Sequence, residues 1–338
     1  MAKHSLRAGK AIGFVRIIGH DYDKSTDLKT RAGLDKIGTV NDKEIQFLKN
    51  IIKKINFDIH MGNILIKPLD TRIILMVFSK HTIKKRITKF LKKKYVAREL
   101  PRIDALIVDK EFLSMIENDI FGLVEWLKDI RRIDPKKIEQ QQYIFWERIS
   151  YNVITNSMSI DDFLEDLKGL NLKFLADSIA TLLKHRKGFI MLSDNEDKNE
   201  TWLRFIFHTL PSSIIYNLSY EISLEHEIPE SDADIIIAPK NSLEPLVDLR
   251  NDTCIETAPE LFSEILQDAF TDEDIMELAK EHEYLILIRH FRNSLETGQW
   301  ISIFENKNLK EIRDAVLNII ELDNKLKEKF KELKLFVK

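Results

Sequence analysis

The residues best suited to do chemistry form a cationic run between Thr82 and Val96. Seven lysines and arginines fall within it and no acidic residue does; they are Lys84, Lys85, Arg86, Lys89, Lys92, Lys93 and Lys94. Apolar residues recur among them at helical spacing, namely Ile83, Ile87, Phe90 and Leu91. This spacing predicts a helix over residues 82–96 that buries its apolar side and carries the basic residues on the opposite face.

Such a basic helix is costly without a partner, because like charges three or four residues apart repel each other. We therefore expect an anionic partner: an acidic protein surface, anionic lipid headgroups, or the phosphates of RNA or DNA. Nucleic acid is the least favoured of these, since no aromatic residue alternates with the lysines to stack on bases. A solvated helix in a lysine-rich protein is the simpler alternative.

Two acidic clusters are the candidates for a metal site. The first lacks the central glycine and alternating ligands of a calcium-binding loop; it is Asp194, Glu196, Asp197 and Glu200. The second precedes an apolar run and Lys240, and is similar to a strand of metal-dependent nucleases; it is Glu225, Glu227, Glu230, Asp232 and Asp234. Ala238 stands where such a nuclease strand has an acidic residue. We therefore predict two solvated loops and no bound metal.

No group of residues predicts covalent or acid–base catalysis. The single Gly-Lys pair, Gly9-Lys10, lacks the earlier glycine of a phosphate-binding loop. Ser193 and Ser219 lack the flanking glycines of a nucleophile elbow. The nine histidines are scattered, and the one cysteine, Cys254, can form neither an internal disulfide nor a zinc cluster. The sequence therefore predicts no catalytic residue and no cofactor.

The net charge of −3 conceals a strong asymmetry along the chain. Residues 1–150 carry 31 lysines and arginines against 19 acidic residues, whereas residues 151–338 carry 21 against 36. The first part is therefore at +12 and the second at −15. This asymmetry suits electrostatic steering of a charged partner, and it equally suits attraction between the two parts.

The 338 residues are 44% hydrophobic, which is enough to build a core. No apolar run approaches the roughly 18 residues that cross a bilayer. The basic residues in the first ten positions are not followed by a long apolar segment, so we expect no signal peptide and a cytoplasmic protein.

The predicted elements describe an α/β protein. In the first hundred residues we expect a strand at Ala11–Ile18, a polar loop over 20–42, a helix capped by Asp42, strands near 58–67 and 72–78, and the basic helix. A second set of strands is predicted at 189–192, 214–224, 233–238 and 246–249, with a helix at 201–208. Helices are predicted at 109–130, 136–154, 160–167, 172–183, 259–270, 272–295 and 308–335. We therefore predict two small mixed-sheet α/β modules with a helical middle and a helical C-terminus, divided as 1–105, 106–187 and 188–338.

Residues 188–248 carry a family resemblance. They contain an apolar strand ending in Ser193, a helix closing with Leu210-Pro211, and a strand containing Val247-Asp248-Leu249. This segment resembles the central part of DENN-type modules, which often follow a longin domain, and is similar to the middle region of bacterial GTPase-associated proteins. The N-terminal element order is compatible with a longin-like sheet. Longin domains usually open with a hairpin, whereas the polar segment 20–42 predicts a loop.

The resemblance implies a regulator or scaffold of a small Ras-like GTPase, including a nucleotide-exchange factor that acts by surface binding. It transfers no catalytic residue, because DENN-type proteins act through shaped surfaces. The alternative is a nucleic-acid-associated protein that binds phosphates through residues 82–96, including a metal-dependent nuclease. The oligomeric state stays open.

Overall fold

A computed structural model describes residues 12–18, 33–54, 56, 60–89, 92–115, 118–130 and 170–258, with scattered positions between 263 and 292. The chain divides into two compact units. The first comprises residues 1–112 with 122–152, and the second comprises residues 113–121 with 153–338. The protein is of the α/β class, as predicted, because its described helices accompany both parallel and antiparallel strands.

The first unit contains a fully antiparallel sheet. Its strands are β1 (Ile12–Ile18), β2 (Gly33–Gly38), β3 (Ile64–Leu69), β4 (Arg72–Lys89) and β5 (Lys92–Asp109). They lie in the order β3-β4-β5-β1-β2. Strand β2 lies within the segment that the sequence predicts as loop, and it forms a hairpin with β1. The predicted loop is therefore wrong over residues 33–38.

The central strands of this sheet are buried on both faces. Phe14, Leu75 and Leu106 occupy one face at facing positions, and all three are fully buried. The alternate residues Met76 and Ala105 are buried on the other face. Apolar residues at consecutive positions, rather than alternating with polar ones, are the sequence sign of a sheet covered on both sides.

Helix α1 (Asp42–Lys54) begins at a reciprocal cap. The Asn41 amide N–H donates to Oε2 of Glu44 at 2.7 Å, and the Glu44 amide donates to Oδ1 of Asn41 at 3.0 Å. These bonds form a capping box, so the N-cap is Asn41 rather than the predicted Asp42. Ile45, Leu48 and Ile52 are buried along one side of the helix, as their spacing predicts.

The predicted basic helix over 82–96 is wrong, because this segment belongs to a long β-hairpin. Strands β4 and β5 are each 18 residues long and pair from Arg72–Asp109 to Lys89–Lys92. The other described strands of the first unit pair only near the base of this hairpin, where β3 meets residues 72–77 and β1 meets residues 102–108. Residues 80–89 and 92–101 therefore form a two-stranded extension of ten facing pairs, which we call the cationic ribbon. At about 3.3 Å per residue it is about 30 Å long.

The second unit contains a mostly parallel sheet. Its strands are β6 (Gly188–Met191), β7 (Tyr220–Ile222), β8 (Ile235–Ala238), β9 (Pro245–Asp248) and β10 (Thr253–Cys254). They lie in the order β10-β9-β6-β8-β7, with β10 antiparallel to β9 and the other pairs parallel. Strand β6 is central, and the chain passes from β8 to β9 on its opposite side.

Five further helices are described. They are α2 (Lys110–Met115), α3 (Ile120–Ile130), α4 (Leu172–Lys184), α5 (Glu196–Thr209) and α6 (Ser212–Asn217). The predicted continuous helix over 109–130 is interrupted at Asn118, whose φ of 59° lies in the left-handed region. The predicted strand over 214–224 is also wrong, because α6 begins after Pro211 and leaves only β7 extended.

Much of the predicted helical middle and C-terminus, including residues 131–169 and 293–338, lies outside the described residues. Within the described part of the chain, no helix has the length and apolar character needed to cross a membrane.

Candidate functional site

The seven predicted site residues are brought together by the cationic ribbon, as strand positions near its tip. Only one facing pair joins two of them, Lys89 with Lys92. The other five basic residues face uncharged partners; Lys93, for example, faces Thr88, and Arg86 faces Tyr95. Like charges directly opposite each other destabilise a strand pair. The register therefore limits this cross-strand repulsion to one pair.

The pairing also divides the basic residues between two faces. Successive residues of a strand belong to opposite faces, and facing residues share a face. One face holds the positions of Lys85, Lys89, Lys92 and Lys94, and the other those of Lys84, Arg86 and Lys93. The single cationic face predicted for a helix is thus replaced by two. The nearest acidic residue along either strand is Glu99, whose carboxylate lies 3.6 Å from Lys80 Nζ.

A buried ionic cluster lies where the ribbon joins the sheet. Asp104 faces Arg16 across β5 and β1, and its Oδ1 lies 2.7 Å from Arg16 Nε. Its Oδ2 lies 2.7 Å from Nε of Arg102. The carboxylate of Asp104 is fully buried, and both guanidinium groups are nearly so. Two cations thus share one anion inside the first unit.

His81 of β4 lies close enough to this cluster for the charges of the cluster to act on its imidazole. Burial lowers the pKa of its imidazole, and the charges of Arg102 and Arg16 lower it further, against an opposing effect of Asp104. By register, His81, Arg102, Asp104 and Arg16 belong to the same sheet face as Lys85. This face of β4 and β5 therefore carries positive charge from the sheet toward the ribbon tip.

A second ionic cluster, buried except at Asp109, attaches α1 to the sheet. Arg72 places Nε 2.7 Å from Oδ1 of Asp109 and Nη1 3.0 Å from Oε1 of Glu44. The same Nη1 donates to the carbonyl oxygen of Thr39 at 2.7 Å. Burial alone would lower the pKa of Arg72, but hydrogen bonds and charges from Asp109 and Glu44 raise it above its ordinary value. This cluster joins the helix, the strand and the loop before the helix.

The two acidic clusters do not converge on a metal site. In the first, Glu196 and Asp197 occupy the first turn of α5, where carboxylates suit the helix dipole, and Glu200 pairs with Arg204 at 2.7 Å. In the second, Asp234 accepts hydrogen bonds from the amide and hydroxyl of Ser219. The described residues contain no group of three side chains positioned to hold a metal ion.

The hydroxyl of Ser193 belongs to the loop that starts α5 rather than to a catalytic pair. It donates to Oδ1 of Asn199 at 3.0 Å, and Asn199 also accepts from the Ser193 amide. Asn195 caps the helix by accepting from the Lys198 amide. No histidine or carboxylate hydrogen-bonds to this hydroxyl among the described contacts, so nothing there activates it as a nucleophile.

His208 is the most strongly perturbed histidine in the described part of the chain. It is fully buried near the end of α5, and burial lowers its pKa to about 4. Its Nε2 lies 4.0 Å from Oδ1 of Asp119, and its carbonyl accepts from Arg292 Nη1 at 3.4 Å. The charge of Asp119 opposes the lowering, whereas Arg292 and Arg204 add to it. The buried imidazole is therefore neutral at neutral pH.

The sequence alone did not predict the ionic clusters around Asp104 and Arg72. A signal for the first is visible: Arg16 interrupts the apolar run of β1, and Asp104 interrupts that of β5. A charged residue inside a buried strand needs a partner, because burial of an unpaired charge is very costly.

Comparisons with protein-family models, with curated proteins and with solved structures find no match to this chain.

Proposed function

We propose that the protein is a non-enzymatic regulator or scaffold of a small Ras-like GTPase, with a longin-like first unit and a DENN-like second unit. The observation that carries the proposal is the hairpin of β1 and β2. Longin domains usually open with such a hairpin, and here it is followed by α1 and by the antiparallel strands β3 to β5. The antiparallel pairing of β1 with β2 therefore supports the proposal of a longin-like first unit.

The second unit supports the same proposal through the segment that carries the family resemblance. Strand β6 leads directly to Ser193, α5 ends before Pro211, and β9 contains Val247 and Asp248. Several polar side chains near these strand ends bond to one another or to the backbone; Arg250, for example, donates to the carbonyl oxygens of Leu192 and Pro239. This arrangement suits a shaped binding surface better than acid–base catalysis.

The mechanism would be differential binding. A protein that binds one nucleotide state of a GTPase more tightly than another shifts the equilibrium toward that state, by no more than its difference in affinity. If the chain bound the nucleotide-free form of the GTPase most tightly, it would promote nucleotide exchange. If it bound the triphosphate form most tightly, it would act as a scaffold. The opposite charges of the two parts of the sequence would steer the encounter. Such a protein would work in the cytoplasm, as the sequence predicts.

The test uses the full chain with the small GTPases encoded in the same genome. Each GTPase is immobilised in its diphosphate, triphosphate-analogue and nucleotide-free forms, and binding of the chain is measured. Release of a fluorescent guanine nucleotide is followed in parallel, with a P-loop ATPase as the control partner. We expect at least one GTPase to show a preference between states of about 5- to 150-fold, the usual range of coupling. Equal binding of all three forms, with unchanged release rates, would overturn the proposal.

A further inference from the structure

We propose that the cationic ribbon is a binding element for B-form duplex DNA, lying in the major groove with basic residues of both ribbon faces near the phosphates. This site is independent of the proposed GTPase function, since it rests on β4 and β5 alone. It depends on the ribbon geometry, which replaces the helix that the sequence predicts.

The first argument is the distribution of charge over two faces. A ribbon lying flat on a membrane or on an acidic protein could bring only one face against the anionic surface. Either orientation would leave at least three of the seven basic positions turned away from that surface, because the positions divide four to three. A groove bordered by two phosphate backbones is anionic on both sides. Such a groove can neutralise the basic residues of both ribbon faces.

The second argument is size. The major groove is about 12 Å wide and about 8.5 Å deep and admits a two-stranded ribbon. With one edge toward the base pairs, the ribbon turns its two faces to the two phosphate backbones, and its strands, about 4.8 Å apart, lie one above the other within the depth of the groove. Basic residues occupy β4 from Lys84 to Lys89, a span of about 17 Å at the rise of a strand. Phosphates of one DNA strand are spaced by about 3.4 Å along the axis, so this span covers about five base pairs. Duplex RNA is excluded as an equal partner, because its major groove is deep and narrow.

The third argument is preorganisation. The paired strands of the ribbon continue into the buried centre of the first sheet, where Asp104 holds Arg16 and Arg102. The backbone of the basic segment is therefore already ordered by β pairing. Binding then requires less loss of chain entropy than it would for a basic tail that orders only on DNA.

Prevention of self-association is an alternative role for the lysines, and the experiment must distinguish it from DNA binding. Lysines on unpaired β edges discourage strand pairing between molecules. If the lysines of the ribbon served only to prevent strand pairing between molecules, replacing them by neutral residues would cause self-association and leave the affinity for DNA unchanged. Oligomeric state and DNA binding are therefore measured on the same variants.

The experiment measures binding of the full chain to a fluorescent duplex of about two helical turns, between about 50 and 200 mM salt. The first variant is Lys85→Gln/Lys89→Gln/Lys92→Gln, from one ribbon face. The second is Lys84→Gln/Arg86→Gln/Lys93→Gln, from the other. The matched control, Lys43→Gln/Lys53→Gln/Lys54→Gln, removes the same charge from exposed positions of α1. Circular dichroism and size-exclusion chromatography check folding and self-association. Duplex RNA, single-stranded DNA, and vesicles of phosphatidylcholine with phosphatidylserine are measured as competing partners.

We expect the wild-type affinity to fall steeply with salt, and each ribbon variant to reduce the slope of log K against log salt by about 2.7, which is about 0.9 for each lost phosphate contact. The control should retain the wild-type slope. Four outcomes would overturn the inference: no duplex binding at low salt, equal losses in ribbon and control variants, loss from one ribbon face only, or tighter binding to vesicles, RNA or single-stranded DNA than to duplex DNA. A ribbon variant that self-associates with unchanged DNA affinity would also overturn it. If one triple variant fails to fold, single Lys→Gln substitutions from the same face replace it, so that both faces are tested.

Discussion

Replacing Asp104 by asparagine should destabilise the first unit strongly. The fully buried carboxylate lies 2.7 Å from Nε of both Arg16 and Arg102, whose side chains are 7% and 15% exposed. An asparagine side chain would keep the shape of the aspartate but remove the negative charge that lies against both guanidinium groups. Breaking a buried ion pair by removing one partner costs about 3–5 kcal/mol. We therefore expect the free energy of unfolding to fall by about that amount.

The matched control is Glu99→Gln, which makes the same carboxylate-to-amide change on the same strand. Glu99 lies 3.6 Å from Lys80 and is 59% exposed, so solvent screens the pair and its loss should cost less than about 1 kcal/mol. Urea unfolding, followed by circular dichroism, compares the two variants. If Asp104→Asn unfolds within about 1 kcal/mol of Glu99→Gln, the carboxylate is not the anion that balances the two arginines, and our interpretation of the cluster is refuted.

Three further predictions concern other sites. A Cβ on Gly13 would lie 2.5 Å from the carbonyl oxygen of Thr39, so Gly13→Ala should lower the free energy of unfolding by about 1–3 kcal/mol; an unchanged urea midpoint would contradict this. Because burial lowers the pKa of His208 from 6.5 to about 4, the unfolded chain binds the extra proton between these values. Stability should therefore be intact above pH 6.5 and fall by up to about 3 kcal/mol as the pH drops to 4; His208→Gln should show a shallower decline, and an equal slope would count against it. Burial raises the pKa of Cys254 to about 11, so this single thiol should react with a disulfide reagent at about pH 8 far more slowly in the native than in the urea-unfolded chain; equal rates would refute its protection.

The cationic ribbon shows where local sequence patterns become ambiguous. Ile83 and Ile87 are four residues apart, which places them on one side of a helix and also on one face of a strand. The β-branched residues Thr82, Ile83, Ile87 and Thr88 favour the strand. The pairing of β4 with β5 decides between helix and strand, and the register of this pairing cannot be predicted from a local sequence pattern. Where a local signal is unambiguous, as in the amphipathic α1 and α4, the helix prediction is confirmed.

The partners within the ionic cluster at the base of the ribbon could not be predicted from local sequence patterns either. The sequence identifies Arg16 as a cation in an apolar strand, but its partner Asp104 is 88 residues away. Register fixes which residues face each other, and a shift by one residue would move Asp104 to the other face of the sheet. The charge composition of the segment 82–96 was readable from the sequence, whereas its division over two faces required the strand pairing.

The extended pairing of β4 with β5 has a consequence for how this surface can change over time. Because each residue of the ribbon has one facing partner and no described strand beyond it in the first unit, facing pairs could be deleted symmetrically from both strands without altering the register of the sheet below. Removing an even number of pairs would also keep the alternation of faces. The outer part of the hairpin can therefore change in length or sequence without affecting the sheet. Substitutions in the buried part of the same two strands must instead preserve the packing of the core.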